Sequence, residues 1–405
     1  FTYDPKTIDI LFITHAHIDH IGRIPKLIDE GFVGKIISTI PTRDIVRVML
    51  EDTAHLLSRD REHKLAEIYS VVNIQKAMDL WEGLDYHQIL NVDHGFQFSF
   101  KDSGHILGSG ILEIVYNGKK IVFTGDLGNS PSPILCDTEK VEDADYLIME
   151  SVYGDRNHED REIRQQKLAE VINENYKRNG TLMIPVFSLE RTQELIFEIN
   201  EMVAEKKIPY MPIFLDSPLA IKLTRIYKTH KKYFKKEVRD IIASGDDIFN
   251  FPGLKMTLET EESKAILSVP NPKIIMAGSG MSNGGRIIHH EKNYLPNKND
   301  TILLIGYQSV GTLGRLIQEG VKKLHIQGEE VPLKAHVVMI SGYSGHKDSD
   351  RLVEFVADTV KTVKKVFTVM GEPKAALFLA QKLKDNLGVK TESPMAGDTI
   401  ILDCK

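Results

Sequence analysis

Short apolar runs separated by polar turns set the rhythm of the chain. "IDILFIT" (8–14) is apolar and rich in β-branched residues, which predicts a buried strand. "HIGRIPKLIDEG" predicts a short helix ended by Gly31, and residues 41–58 and 73–82 carry helical patterns. The rhythm then shortens. "HQILNV", "FQFSFK", "GILEIVYNG" and "KKIVFTGD" are four strand candidates, "NGK" (117–119) supplies a hairpin turn, and "DYLIME" (145–150) predicts another buried strand. From about residue 160 strands alternate with helices: "TLMIPVF", "MPIFLD", "KIIMAG", "DTILLIG", "KKLHIQ" and "HVVMIS". Such alternation predicts a parallel α/β sheet, distinct from the meander before it. A helix at 348–359, the strand "KVFTVM", a helix at 373–387 and a last strand "DTIILD" complete the prediction.

Bulk properties narrow this picture. A length of 405 residues exceeds one ordinary core and predicts two domains. Apolar residues at 42% and charged residues at 27% fit a globular chain. No apolar run approaches the ~18–20 residues of a membrane helix, so no membrane partner is expected. Cys136 and Cys404 make no Cys-x-x-Cys pair, which fits a reducing cytoplasm. A net charge of −6 gives no global basic field, so nucleic-acid binding must be local. The chain opens on Phe1, close to a strand, and an N-terminal piece is expected to be missing.

The densest chemistry is "THAHIDH". His15, His17, Asp19 and His20 follow a strand where the chain turns into a helix, and strand ends are where α/β sheets present ligands. Imidazole and carboxylate without thiolate suit Zn²⁺. "SGHILGSG" adds His105 and "FTGDLGN" adds Asp126, both at strand-to-loop transitions. Scattered surface histidines would explain a lone His-x-His; they do not explain this set.

These stretches, with "ESVYGDRNH", "IPVFSLERTQEL", "FLDSPLA", "AGSGMSNGGRIIHH", "GYQSVGTLGR" and "SGYSGHKD", resemble the metallo-β-lactamase fold hydrolases, and more narrowly the β-CASP nucleases. The resemblance covers essentially the whole chain. It implies an α/β fold, an αββα sandwich comprising about 1–155 and 335–405, with an α/β insert at about 156–334 and the active site in the cleft between them. It implies two zinc ions, one held by His15, His17, His105 and Asp126, the other by Asp19, His20 and a bridging Asp126. Glu150 would be a supporting carboxylate and His346 the general acid. The RNA-cleaving members usually carry a second-zinc histidine where this chain has Met370, and the DNA-processing members carry an apolar residue there. A second zinc bound more weakly is therefore expected, since a thioether is a poor zinc ligand. Further strands and an aspartate motif upstream are also absent.

Other features are less specific. The loop "AGSGMSNGGR", with Ser282 and Gly284, can offer amides to phosphate, although it matches neither a dinucleotide fingerprint nor a nucleoside-triphosphate loop. Arg191, Arg286 and Arg315 follow glycine-rich or strand-end loops and are candidate phosphate contacts, with structural ion pairing as the alternative. "DSPLA" predicts a helix start capped by Ser217. After it, Lys222, Arg225, Lys228, Lys232, Lys235 and Arg239 recur at helical spacing, as a solvated face or a nucleic-acid track. Tyr227, Tyr233 and Phe234 among them are expected in the core. His55, His63, His158, His230, His289 and His290 are expected at the surface or as caps.

The expected function is a zinc-dependent ribonuclease acting on single-stranded RNA, in RNA processing or decay. Two cations would polarise the phosphate and supply hydroxide, Asp19 would orient that hydroxide, and His346, held by Glu150, would protonate the leaving 3′ oxygen. The products would be a 5′-phosphate and a 3′-hydroxyl. A DNA nuclease, a small-ester hydrolase and an inactive scaffold subunit are the alternatives, and a homodimer stands beside a monomer.

Overall fold

The computed structural model describes residues 1–58, 63–158 and 161–404. It divides into two compact units, 1–157 with 345–405, and 158–344.

The first unit holds two sheets. One is parallel, β1 (Ile10–Phe12), β2 (Lys35–Thr39) and β3 (Trp81–Leu84), in that order. The other has seven strands: β4 (Leu90–Val92), β5 (Phe96–Asp102), β6 (Gly110–Tyr116), β7 (Lys119–Phe123), β8 (Tyr146–Glu150), β17 (Lys365–Val369) and β18 (Thr391–Glu392). Its order is β18-β17-β8-β7-β6-β5-β4, antiparallel from β4 to β7 and parallel beyond. Adjacent side chains on β6 show the layering. Leu112 packs with Ile37, Leu84, Phe98 and Phe100 between the sheets, while Ile111 packs with Leu352, Phe355 and Leu379 of the outer helices. Period-2 alternation thus builds an αββα sandwich. The "NG" turn between β6 and β7 is present, with Asn117 at φ 51° and Gly118 at φ 70°, as a tight hairpin requires.

The second unit is built on β9 (Thr181–Pro185), β10 (Ile213–Asp216), β11 (Leu254–Met256), β12 (Lys273–Ala277), β13 (Thr301–Ile305) and β16 (His336–Ile340). All run parallel in the order β11-β10-β12-β9-β13-β16. Every residue of β9, β12 and β13 is buried, which explains their continuous apolar runs. Ser217 caps the helix Pro218–Thr229, accepting from the Ala220 amide at 3.3 Å.

Three expectations are corrected. The domain boundary expected at about 335 lies later: β16, expected in the parallel sheet, pairs along its length with β13, so the return to the first unit comes at Gly345. "KKLHIQ" does not join the parallel sheet. It forms β14 (Lys323–Ile326), an antiparallel hairpin with β15 (Glu329–Pro332), because the two intervening residues, Gln327 (φ 51°) and Gly328 (φ 80°), leave no room for a crossover. "DTIILD" is not a strand. Gly397 at φ 97° turns the chain, and Tyr146 holds the Asp403 backbone through its hydroxyl. No helix among the described residues is long and apolar enough to cross a membrane.

Candidate metal centre

His15 and His17 lie on the loop just past β1, with His17 at the N-cap of the helix Ile18–Ile21, and Asp19 and His20 lie in that helix. His105 comes from the β5–β6 loop and Asp126 from the loop after β7. Glycine makes their approach possible at Gly125 (φ 55°), where a Cβ would come within 2.7 Å of Thr14. The Thr39 and Thr42 hydroxyls both donate to the Gly108 carbonyl, tying the His105 loop to the end of β2.

The ligand atoms of His15, His17, His105 and Asp126 lie within 4.8 Å of one another. Asp126 Oδ2 is the common vertex: His15 Nε2 is 3.3 Å away, and the Nε2 atoms of His20 and His105 are each 3.6 Å away. His17 Nδ1 and His105 Nε2 are 3.1 Å apart. Donors about 2.0–2.1 Å from a tetrahedral zinc are separated by about 3.3–3.4 Å, so these spacings fit one ion. The buried His15 Nε2, His20 Nε2 and Asp126 Oδ1 make no hydrogen bond, which leaves lone pairs for a cation. His105 Nδ1 sits 3.0 Å from the Gly345 carbonyl, and donating there leaves Nε2 as a ligand.

Electrostatics agree with a cation site. Burial, reinforced by neighbouring imidazoles, holds His17 and His105 well below the usual histidine range and also lowers His20. Neutral imidazole is the ligating form. Burial opposes charge on Asp126, but the close pairing with His15 and the surrounding imidazoles prevail and hold its carboxyl well below the usual range.

Beside this cluster, both carboxylate oxygens of the buried Glu150 lie 3.1 Å from His346 Nδ1. Glu150 also accepts from the Leu127 amide at 2.6 Å, which fixes it against the Asp126 loop. His346 Nδ1 is 4.0 Å from Asp126 Oδ2. Gly128 and His346 form a backbone bridge, and the buried Lys347 donates to the Gly128 carbonyl at 3.0 Å. Sequence reasoning missed Lys347, Thr39 and Thr42; only proximity to the histidine motifs could have signalled them.

Met370 immediately follows β17, whose Val369 pairs with Glu150. Its side chain is 55% exposed and its φ is 58°. The Asp19 side chain is 68% exposed, against 15% for His20.

The phosphate candidates divide. Arg286 donates to Asp216 (2.7 Å) and to the carbonyls of Thr257 and Leu258, so it is a structural partner. Asp216 also accepts from Thr257, Ser263 and His290; against the opposing effect of burial, these bonds push its carboxyl down to about 2. His290 is therefore a buried network member, correcting its expected surface place. Arg191 is held by Glu194 and the Tyr343 carbonyl. Ser282 is buried and bonded to Glu291. Gly284 has open space around it, and the Arg315 side chain is one-third exposed, with Nε on Glu319. Lys222, Arg225, Lys228, Lys232 and Arg239 are exposed while Tyr227, Tyr233 and Phe234 are buried, and Lys228 pairs with Asp247. Of the remaining histidines, the His63 side chain lies outside the described residues.

Three family descriptions match successive parts of the chain: "Metallo-beta-lactamase superfamily" over residues 2–161, "Beta-Casp domain" over 192–317, and "Zn-dependent metallo-hydrolase RNA specificity domain" over 330–394. Ribonuclease TTHA0252 of Thermus thermophilus is 33% identical over 95% of this chain and 86% of its own length. The chain belongs to the β-CASP family of metallo-β-lactamase fold hydrolases. Another β-CASP relative, an RNase J-like protein of Methanocaldococcus jannaschii, is 30% identical over 97% of this chain and 89% of its own. The transcription termination factor FttA of Pyrococcus horikoshii is 31% identical over 98% of this chain, which spans 62% of that longer protein. A crystal structure of an Enterococcus faecalis protein of unknown function shares the fold, with a TM-score of 0.55 at 14% identity over 97% of this chain and 81% of its own. As a β-CASP member the chain is a metal-dependent hydrolase, and its His/Asp cluster suits that cofactor.

Proposed function

We propose that this β-CASP chain hydrolyses phosphodiester bonds of single-stranded RNA to 5′-phosphate and 3′-hydroxyl products. The observation that carries this reading is the His346–Glu150 pair set beside the Asp126 vertex: a proton donor next to a cation site. The ribonuclease names of two relatives and the RNA-specificity description support RNA as the substrate.

In this reading His15, His17, His105 and Asp126 would hold one zinc, and Asp19 and His20 with Asp126 would hold a second. Bound zinc supplies Lewis acidity towards phosphoryl oxygen and lowers the pKa of water. The chain's own groups do the rest. Asp19, at the solvent side, orients the attacking water. His346, protonated on both ring nitrogens, gives its Nε2 proton to the departing 3′ oxygen and returns to neutral, while Glu150 accepts from Nδ1–H and holds the ring in place. The second zinc would be the weaker, because Met370 stands where a nitrogen ligand is expected and a thioether is a poor zinc ligand. That residue also favours the second reading, a DNA nuclease. Neither cysteine is in a disulfide, in keeping with the cytoplasmic compartment we assign.

The test is metal-loaded protein with end-labelled and internally labelled RNA beside matched DNA. Cleavage of RNA leaving 5′-phosphate ends is expected; preferential cleavage of DNA would overturn the RNA reading.

A further inference from the structure

Two exposed aromatic side chains stand at the C-terminal edge of the insert's parallel sheet. Phe187 lies two residues past β9 and Tyr307 two residues past β13; they are 38% and 41% exposed. These strands are hydrogen-bonded neighbours, so the two residues follow adjacent strand ends. Their neighbours Val186 and Gln308 are buried.

Gly280 organises the pair. A Cβ there would come within 2.6–2.9 Å of Cδ2, Cε2 and Cγ of Phe187, so one part of the ring rests on glycine backbone. The Gly280 carbonyl accepts from Gln308 Nε2 at 3.1 Å, fixing the residue next to Tyr307. On the other side, Thr192 donates to the Phe187 carbonyl at 2.7 Å, and the Val186 amide donates to Ala277. Both aromatic residues are thus mounted on pinned backbone. The Tyr307 hydroxyl lies within electrostatic reach of Arg315, one-third exposed on the helix Leu313–Gln318.

Rigid exposed rings at strand C-termini beside a guanidinium match what unpaired nucleotides need. Bases stack on aromatic faces whatever their identity, and guanidinium suits phosphate oxygens. Strand C-termini are where open parallel sheets bind ligands. We propose that Phe187 and Tyr307 form a base-stacking platform for single-stranded RNA, with Arg315 as the cation for its backbone. This rests on the RNA reading above and names where the insert holds the substrate.

The test measures binding of a fluorescein-labelled oligouridylate and of an abasic ribose-phosphate oligomer of equal length. It uses full-length protein carrying His346→Ala to slow cleavage. Phe187→Leu and Tyr307→Leu are each expected to weaken oligouridylate binding about ten-fold and abasic binding little, while Phe187→Tyr and Tyr307→Phe retain it. Unchanged oligouridylate affinity in the leucine variants would overturn the platform. Equal loss on both oligomers would also overturn it, assigning the patch to backbone or protein contact. A parallel cleavage assay on the otherwise unmodified protein separates the two claims: no RNA cleavage defeats the ribonuclease reading, whereas cleavage with unaltered variants defeats only the platform.

Discussion

In the proposed reading the two halves of the metal centre share Asp126 and differ in the support and exposure of their other ligands. His15 and His105 are buried, and His105 has a backbone carbonyl behind its second nitrogen. Their neighbour His17 is pushed well below its usual pKa by burial first and by His15 next. Asp19, by contrast, is at the solvent side, while His20 is mostly covered, and Met370 is 55% exposed. Burial with outer support preorganises a ligand, whereas exposure lets it relax and exchange. On the proposed reading, one half would retain an ion and the other would admit water and substrate.

The largest effect is expected where the halves meet. Asp126→Asn removes the shared vertex and should lower both metal content and turnover by more than the roughly 100-fold that loss of a supporting partner costs. Metal analysis with a cleavage assay checks this; retained metal and activity would break the comparison at its centre. His346→Ala should reduce kcat about 10²- to 10⁴-fold with metal content unchanged, as expected for a lost general acid. Wild-type cleavage by this variant, or by Asp19→Ala, would remove the role assigned to that residue. Glu150→Gln should cost about 10- to 100-fold and shift the pH profile through His346, with bound metal retained.

A pH titration sharpens the same contrast. In metal-free protein, His17 and His105 bind protons less readily than their unfolded counterparts, whose pKa is near 6.5. The unfolded chain therefore binds more protons just below that pH, so stability is lost as pH falls from 6.5 toward the depressed folded values. Asp126, held below its ordinary 3.8, extends the loss further into acid. Denaturation midpoints between pH 7 and 5 should fall, and His105→Asn should flatten the slope. A midpoint that rises on acidification would contradict the burial argument.

The metal string was legible because its donors are close in sequence and sit at a strand end. His105 and Asp126 were legible from flanking glycines and strand-end position. Arg286 was not, because its partners Asp216, Thr257 and Leu258 lie 28 to 70 positions away and no local pattern announces them. His290 was missed for the same reason. The β16 strand was recognised as part of the parallel sheet, but the domain boundary was set before it, since an apolar run does not say where the chain leaves one unit for the next. The β14–β15 hairpin did have a local signal, the two-residue "QG" turn between apolar runs.

Zinc stoichiometry under chelation tests the inequality of the two halves most directly. After dialysis of the fully loaded protein against a competing chelator, about one zinc per chain should remain, with Met370→His raising retention toward two. Two zinc ions held equally tightly by the unmodified chain would contradict the account.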